Sequence, residues 1–217
     1  MKRSQGSTLV GLLVIVVLVG LAFWATRNDQ PQTTPSPSPP VSAGEAGTQL
    51  AALTIAPEGK MAGYSRDRFP HWSSQGNSCD TREIVLQRQG QNVQTDKNCK
   101  ATTGQWTSPY DGMVITKATD LDIDHTVPLA EAWRSGADKW TDAQREKFAN
   151  DVGGVQLMAV SATTNRAKGD QDPAKWTPPV KTYWCTYAAH WIQVKTTYAL
   201  TIDQAEHDAL ANMLTAC

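Results

Sequence analysis

The chain has 217 residues, enough for one domain with appended segments. Hydrophobic residues make up 40% and charged residues 19% of it, which excludes a fully disordered chain and a multi-span membrane protein. The formal net charge is −1, so no overall positive field attracts nucleic acid or anionic lipid. Any nucleic-acid chemistry must therefore rest on a local site.

Residues 1–27 are expected to form a signal peptide or an uncleaved signal anchor. Lys2 and Arg3 give a basic start, and residues 9–25 are uncharged and largely apolar. This run is slightly shorter than the roughly 20 residues of a membrane-spanning helix, and no small-residue cleavage site is clear. Both alternatives therefore stay open. Each predicts export, with the protein either secreted or tethered to the outer face of the membrane by residues 9–25 alone.

Residues 28–49 are rich in Pro, Ser, Thr and Gln and contain few bulky apolar side chains. Such a segment cannot bury enough surface to offset the entropy lost on ordering, so its composition predicts a disordered linker. The folded domain is then expected over residues 50–217.

Four cysteines fit an exported protein, and none has the C-x-x-C spacing of a zinc site or redox motif. Four cysteines allow three pairings. We favour the two local ones, Cys79–Cys99 and Cys185–Cys217.

The predicted secondary structure mixes short helices and strands, which indicates an α+β fold. Thr141 with Gln144, and Thr201 with Gln204, have the pattern of a helix capping box. The predicted elements are, in chain order, a helix over 81–89, strands and turns over 91–119, a strand over 120–124, a helix over 128–134, a helix from Thr141 to 150, a strand over 155–160, a short helix between Ser161 and Gly169, a helix over 181–195 and a last helix from Thr201 to 216.

The densest polar cluster lies at residues 120–125, where three Asp precede His125. Carboxylate oxygens suit a hard cation such as Mg²⁺, and a neutral imidazole accepts a proton from water near neutral pH. An ideal strand would point Asp124 and His125 to opposite faces, so a shared site requires the backbone to leave strand geometry there. The alternative is a solvated acidic strand with an incidental histidine.

A second polar segment, N-R-A-K-G-D, covers residues 165–170. Asn165 and Lys168 are three residues apart and so share a helix face. Asn165 offers a neutral oxygen ligand, while Arg166 and Lys168 offer cations for a phosphate. Taken alone, this segment is also compatible with an ordinary helix terminus.

Together, DIDHTVPL (122–129) and VQLMAVSATTNRAKGD (155–170) resemble the HNH, or ββα-metal, endonucleases. The wider chain is similar to a secreted bacterial HNH family related to the C-terminal domain of GmrSD-type restriction enzymes. The segments that carry this wider resemblance are YSRDRFPHW (64–72), CDTRE (79–83), DHTVPLAEAW (124–133) and NRAKGDQDPAKW (165–176). The resemblance covers Tyr64 to Cys217 and implies a ββα-metal core with helical additions.

The resemblance also implies roles for single residues. His125 matches the general base, and Asp124 and Asn165 match the ligands of one Mg²⁺ or Mn²⁺ ion. Arg166 and Lys168 are the expected phosphate contacts, and Asp122 either orients the site or is solvated. The implied activity is endonucleolytic hydrolysis of DNA by a monomer, leaving a 5′-phosphate and a 3′-hydroxyl, with RNA as an open alternative substrate.

One residue departs from the HNH pattern. The middle Asn of the family, which braces the loop carrying the base, falls at Gln156. This departure is the main argument for an alternative, a non-catalytic exported surface module that keeps the nuclease scaffold. A cell-wall metallohydrolase would require a zinc site with several His or Cys ligands, and the chain has no H-E-x-x-H motif.

Overall fold

The structure, a computed structural model, describes residues 41–217. The signal segment and residues 28–40 of the expected linker lie outside this range. Within it, no helix is both long enough and apolar enough to span a bilayer. The helices are α1 (Ala43–Ala52), α2 (Thr81–Gln89), α3 (Leu129–Arg134), α4 (Asp142–Ala149), α5 (Ala162–Lys168), α6 (Trp184–Thr197) and α7 (Gln204–Leu214). The strands are β1 (Ser74–Gly76), β2 (Cys79–Asp80), β3 (Gln91–Thr95), β4 (Ala101–Thr107), β5 (Val114–Ile115), β6 (Leu121–His125) and β7 (Leu157–Ser161).

Helix α1 lies largely within the segment whose composition predicts a linker. Ser42 caps the helix by accepting a hydrogen bond from the backbone N–H of Glu45. Ala46 and Leu50, one helical turn apart, are buried, and the helix packs against α6. The ordered domain therefore begins before residue 50. The composition of residues 28–49 does not reveal this helix, because two apolar side chains are enough to pack it against another part of the fold.

The predicted mixture of helices and strands and the two predicted disulfides are confirmed. Cys79 bonds Cys99 and Cys185 bonds Cys217, and the strands form three small antiparallel sheets, β1–β2, β3–β4–β5 and β6–β7.

The capping boxes have different outcomes. The one predicted at Thr141 is present, with reciprocal bonds between Thr141 and Gln144. The one predicted at Thr201 is wrong, because Asp203 caps the last helix by accepting from the N–H of Glu206.

Strands β6 and β7 pair antiparallel along their whole length, from Leu121 opposite Ser161 to His125 opposite Leu157. Ser161 ends β7 and caps α5 by accepting from the N–H of Thr164. Gly169 ends α5 with a φ of 57°, a left-handed conformation that glycine adopts without strain. This strand, strand, helix unit carries both polar segments.

The β6–β7 pair is buried on both faces. Leu121 and Ile123 from β6 join Leu157 and Ala159 from β7 in an apolar cluster that includes Val85 of α2. The opposite face packs against α5. A larger helical core involves α1, α3, α4, α6 and α7. The β6–β7 pair is thereby held between the two cores, which fixes the backbone of the residues at the end of β6.

Candidate active site

A cleft of about 240 Å³ opens where β6 ends, beside α3 and α5. Asp124, His125 and Asn165 all line it, and Arg166 lies on its rim. The three residues predicted to bind an ion and activate water therefore border one space.

His125 is held in one tautomer by the end of α4. Its Nε2 lies 3.0 Å from the carbonyl oxygen of Ala149. A carbonyl only accepts, so Nε2 carries the hydrogen and Nδ1 keeps its lone pair. No residue within 41–217 donates a hydrogen bond to Nδ1. Burial lowers the pKa of His125 to about 3, and the positive charges of Arg66 and Lys168 act in the same direction, so the ring is neutral near pH 7.

Gln156 braces the loop that follows His125. Its Oε1 accepts from the N–H of Val127 at 3.1 Å, and its Nε2 donates to the carbonyl of Val127 at 2.8 Å. Its backbone carbonyl accepts from the N–H of Thr126 at 2.7 Å. Although Gln156 has a longer side chain than the Asn of the HNH pattern, its amide therefore makes both hydrogen bonds to the loop. The bracing questioned on sequence grounds is present.

Asp124 is bound to buried neighbours on the α5 side of the strand. Lys168 Nζ lies 2.8 Å from each carboxylate oxygen and 2.8 Å from the carbonyl oxygen of His125, and Tyr110 donates to Oδ2 at 2.5 Å. Burial raises the pKa of Asp124, while Lys168 and then Tyr110 oppose the rise.

Lys168 is itself 0% exposed, and its ammonium binds Asp124 and the carbonyl of His125, an arrangement that disfavours the phosphate contact predicted for it. The helix spacing correctly places it near Asn165, but that part of α5 packs against β6 instead of facing solvent.

The backbone does not leave strand geometry at the Asp-His pair, contrary to the sequence expectation. Asp124 pairs with Met158 and His125 with Leu157 in uninterrupted register. The Asp124 side chain accordingly contacts α5 and that of His125 contacts the end of α4, as the period-two alternation of a strand requires. Both residues reach the cleft because the cleft lies at the strand end.

Asp122 holds the amide of Asn165. Asn165 Nδ2 donates to Asp122 Oδ2 at 3.1 Å, and Nε of Arg166 lies 3.7 Å from the same oxygen. The Asn165 oxygen has no donor among the residues that the structure describes. The Arg166 side chain is 76% exposed, so it can reach a phosphate.

The donor set at the cleft fits a hard divalent ion, because it offers a carboxylate oxygen and an amide oxygen. A carboxylate oxygen has two lone pairs. Oδ1 of Asp124 accepts one hydrogen bond, from Lys168, and so retains an acceptor site. The ammonium of Lys168 opposes a second cation electrostatically, which favours weak ion binding.

A group of three carboxylates elsewhere in residues 41–217 is a poorer candidate. The side chains of Glu58, Asp172 and Asp203 converge, but Lys175 already bridges Glu58 and Asp172 at 3.0 and 2.6 Å. Asp203 is the cap of α7.

Sequence reasoning missed three residues near the site. Tyr110 lies in the segment 91–119, predicted as strands and turns, and its hydrogen bond to Asp124 depends on tertiary packing. Tyr64 and Arg66 line the cleft, although the motif that contains them suggested no role.

Residues 74–213 match the family model of the C-terminal domain of GmrSD restriction endonucleases. The chain belongs to this family. An "uncharacterized secreted protein" of Arthroderma benhamiae is 53% identical to it over 185 residues, which cover 84% of this chain and 91% of the relative. No solved structure matches significantly.

Membership of the GmrSD C-terminal-domain family places the chain in a nuclease-related group. The relative is fungal, so the narrower expectation of a bacterial family is unsupported. Tyr64 and Arg66 precede the residues that match the family model, yet they line the same cleft as His125.

Proposed function

We propose that this protein is an exported, metal-dependent endonuclease that hydrolyses phosphodiester bonds of DNA, with His125 as the general base. The supporting observation is the fixed tautomer of His125. Its Nε2–H is held by Ala149, and its Nδ1 lone pair is left for the cleft that Asp124 and Asn165 line. A neutral nitrogen beside two oxygen ligands is the arrangement that metal-assisted hydrolysis requires.

In this mechanism, Nδ1 of His125 takes a proton from the water whose oxygen attacks phosphorus. The Ala149 carbonyl keeps the ring oriented and stabilises the imidazolium that forms. The pKa of about 3 belongs to the free protein, in which burial disfavours the charged ring. A bound phosphate brings negative charge to the cleft, which favours the imidazolium and so opposes the effect of burial on the pKa of His125.

The residues of α5 and β6 position the other participants. Asp124 and Asn165 would hold one Mg²⁺ or Mn²⁺, which supplies neutralisation of the charge on the phosphate and the leaving oxygen. Asp122 fixes the Asn165 amide so that its oxygen is free, and Arg166 contacts a phosphate oxygen.

Export is supported by three features. The relative from Arthroderma benhamiae is named a secreted protein. All four cysteines are paired, which suits an oxidising compartment. The basic and then apolar N-terminal segment suits a secretion signal.

A plasmid-cleavage assay tests this function. The purified protein is incubated with supercoiled DNA in EDTA, Mg²⁺, Mn²⁺ or Zn²⁺, and we expect nicking with Mg²⁺ or Mn²⁺ that EDTA abolishes. His125→Ala is expected to lower the rate at least about 100-fold, the usual contribution of a general base. His207→Ala is the matched control, because His207 lies on α7, does not line the cleft, and has its ring nitrogen against Asp208. Equal rates for wild type and His125→Ala would refute the role of His125.

A second candidate is the non-catalytic exported module. The ion pair of Lys168 with both oxygens of Asp124 favours it, because a lysine already neutralises the expected metal ligand. Calorimetric titration with Mn²⁺ separates the two candidates. The nuclease is expected to bind Mn²⁺ and to bind it more weakly after Asn165→Ala, whereas the module shows no binding in either protein.

A further inference from the structure

Arg66 is an exposed cation on the wall of the cleft. It begins the short 3₁₀ turn Arg66–Arg68 and lines the same space as His125, Asn165 and Arg166. A guanidinium that lines the same cleft as His125 can contact a phosphate bound in that cleft.

The turn that carries Arg66 is rigid. The N–H of Phe69 donates to the carbonyl of Arg66 at 3.0 Å, and Arg145 Nε donates to the carbonyl of Arg68 at 3.0 Å. Phe69 is fully buried and packs against Trp133 and Phe148. The backbone of Arg66 is therefore fixed by the core, so binding a ligand costs little backbone entropy.

Arg66 differs from the other arginines of residues 41–217 because its guanidinium has no ion pair and no hydrogen bond there. Arg68 pairs with Asp142 at 3.8 Å and lies over the Trp133 ring. Each of the remaining arginines also has a carboxylate or carbonyl partner: Arg82, Arg88, Arg134, Arg145 and Arg166.

An unpaired guanidinium beside a catalytic cleft can bind a phosphate bidentately without first breaking an ion pair. We infer that Arg66 is a phosphate-binding residue of this cleft. Together with Arg166 it binds the DNA backbone, which is the role that the sequence predicts for Lys168. The inference rests on the proposed function, since it names how the same site holds its substrate. It also gives the segment before residue 74, outside the family match, a part in the active site.

Arg66→Gln and Arg68→Gln form a matched pair, since both arginines are exposed residues of one turn and only Arg66 lines the cleft. Binding of a labelled DNA duplex is measured by fluorescence anisotropy in EDTA over a series of NaCl concentrations. Arg66→Gln is expected to weaken binding about tenfold, as loss of one charge-assisted contact does. The slope of log affinity against log salt should fall by about 1. Arg68→Gln should change neither quantity.

Arg66→Lys separates charge from geometry. It should keep the salt slope while losing part of the affinity, because an ammonium cannot bind bidentately. In the plasmid assay, Arg66→Gln should raise KM about tenfold and leave kcat within about twofold.

If Arg66→Gln and Arg68→Gln bind DNA equally, the inference is wrong while the proposed function stands. If DNA binding depends on Arg66 but no metal-dependent cleavage occurs, the proposed function fails and the DNA-binding role remains. A wild-type protein that does not bind DNA overturns both.

Discussion

Replacing Lys168 by methionine removes a buried charge from the centre of the candidate site. Lys168 Nζ lies 2.8 Å from both oxygens of Asp124 and 2.8 Å from the carbonyl of His125. In Lys168→Met the apolar stem keeps most of its packing, and Asp124 retains only the hydrogen bond from Tyr110. The variant therefore isolates the loss of the ammonium.

The expected cost is large because both partners are buried. Removing one member of a buried ion pair typically costs about 3–5 kcal/mol, since it leaves the other charge without compensation. With Lys168 0% and Asp124 4% exposed, solvent screens the pair only weakly. Such a loss is a substantial part of the about 5–15 kcal/mol that stabilises a typical domain.

Urea unfolding followed by tryptophan fluorescence, with the disulfides intact, measures this cost. The double variant Asp124→Asn, Lys168→Met removes the unpaired charge, so it should be less destabilised than Lys168→Met alone. A coupling energy of about 1–3 kcal/mol is expected between the two positions. If Lys168→Met lost less than about 1 kcal/mol, the ammonium would have to be solvated in the native protein. The phosphate contact predicted from sequence would then regain its basis.

Two further predictions concern the brace and the acid stability. Gln156→Ala leaves the N–H and carbonyl of buried Val127 without their partners, so it should destabilise the protein by about 2–4 kcal/mol and lower kcat in the plasmid assay more than it raises KM. Equal kcat for Gln156→Ala and wild type would show that the brace does not position His125. His190 is buried, which lowers its pKa from 6.5 to about 4. The unfolded chain therefore binds a proton in this window before the folded one does, and stability is complete above pH 6.5 and falls as the pH drops towards 4. Between pH 7 and pH 4.5 the wild type should lose about 2–3 kcal/mol more than His190→Leu in urea unfolding, and identical losses in the two proteins would contradict the burial argument.

The local structure was largely predictable from the sequence because each signal acts over a few residues. The helix over 81–89 and the cap at Thr141 need only hydrophobic spacing and a side-chain oxygen near free N–H groups. The last helix shows the limit, since Thr201 and Asp203 both offer an oxygen and only the path of the chain decides between them. Helix α1 was missed because its stabilisation comes from packing against α6, which local composition does not report.

The sequence predicts that Asp124, His125 and Asn165 lie together, as they do around the cleft, but it does not predict their contacts. Helical spacing shows that Asn165 and Lys168 share a face, but it does not show whether that face meets water or another strand. Arg66 could have been identified only by knowing which turn packs beside His125, and Phe69 and Arg145 fix that turn from distant parts of the chain.

The regular geometry of β6 directs the side chains of the predicted ion ligand and the predicted base towards different helices. Alternation sends Asp124 towards α5 and His125 towards α4, so the two side chains are oriented by different helices. Lys168 links the two sides, because its ammonium binds the carboxylate of one residue and the backbone carbonyl of the next. Lys168 therefore ties the carboxylate of Asp124 to the backbone that carries the imidazole of His125.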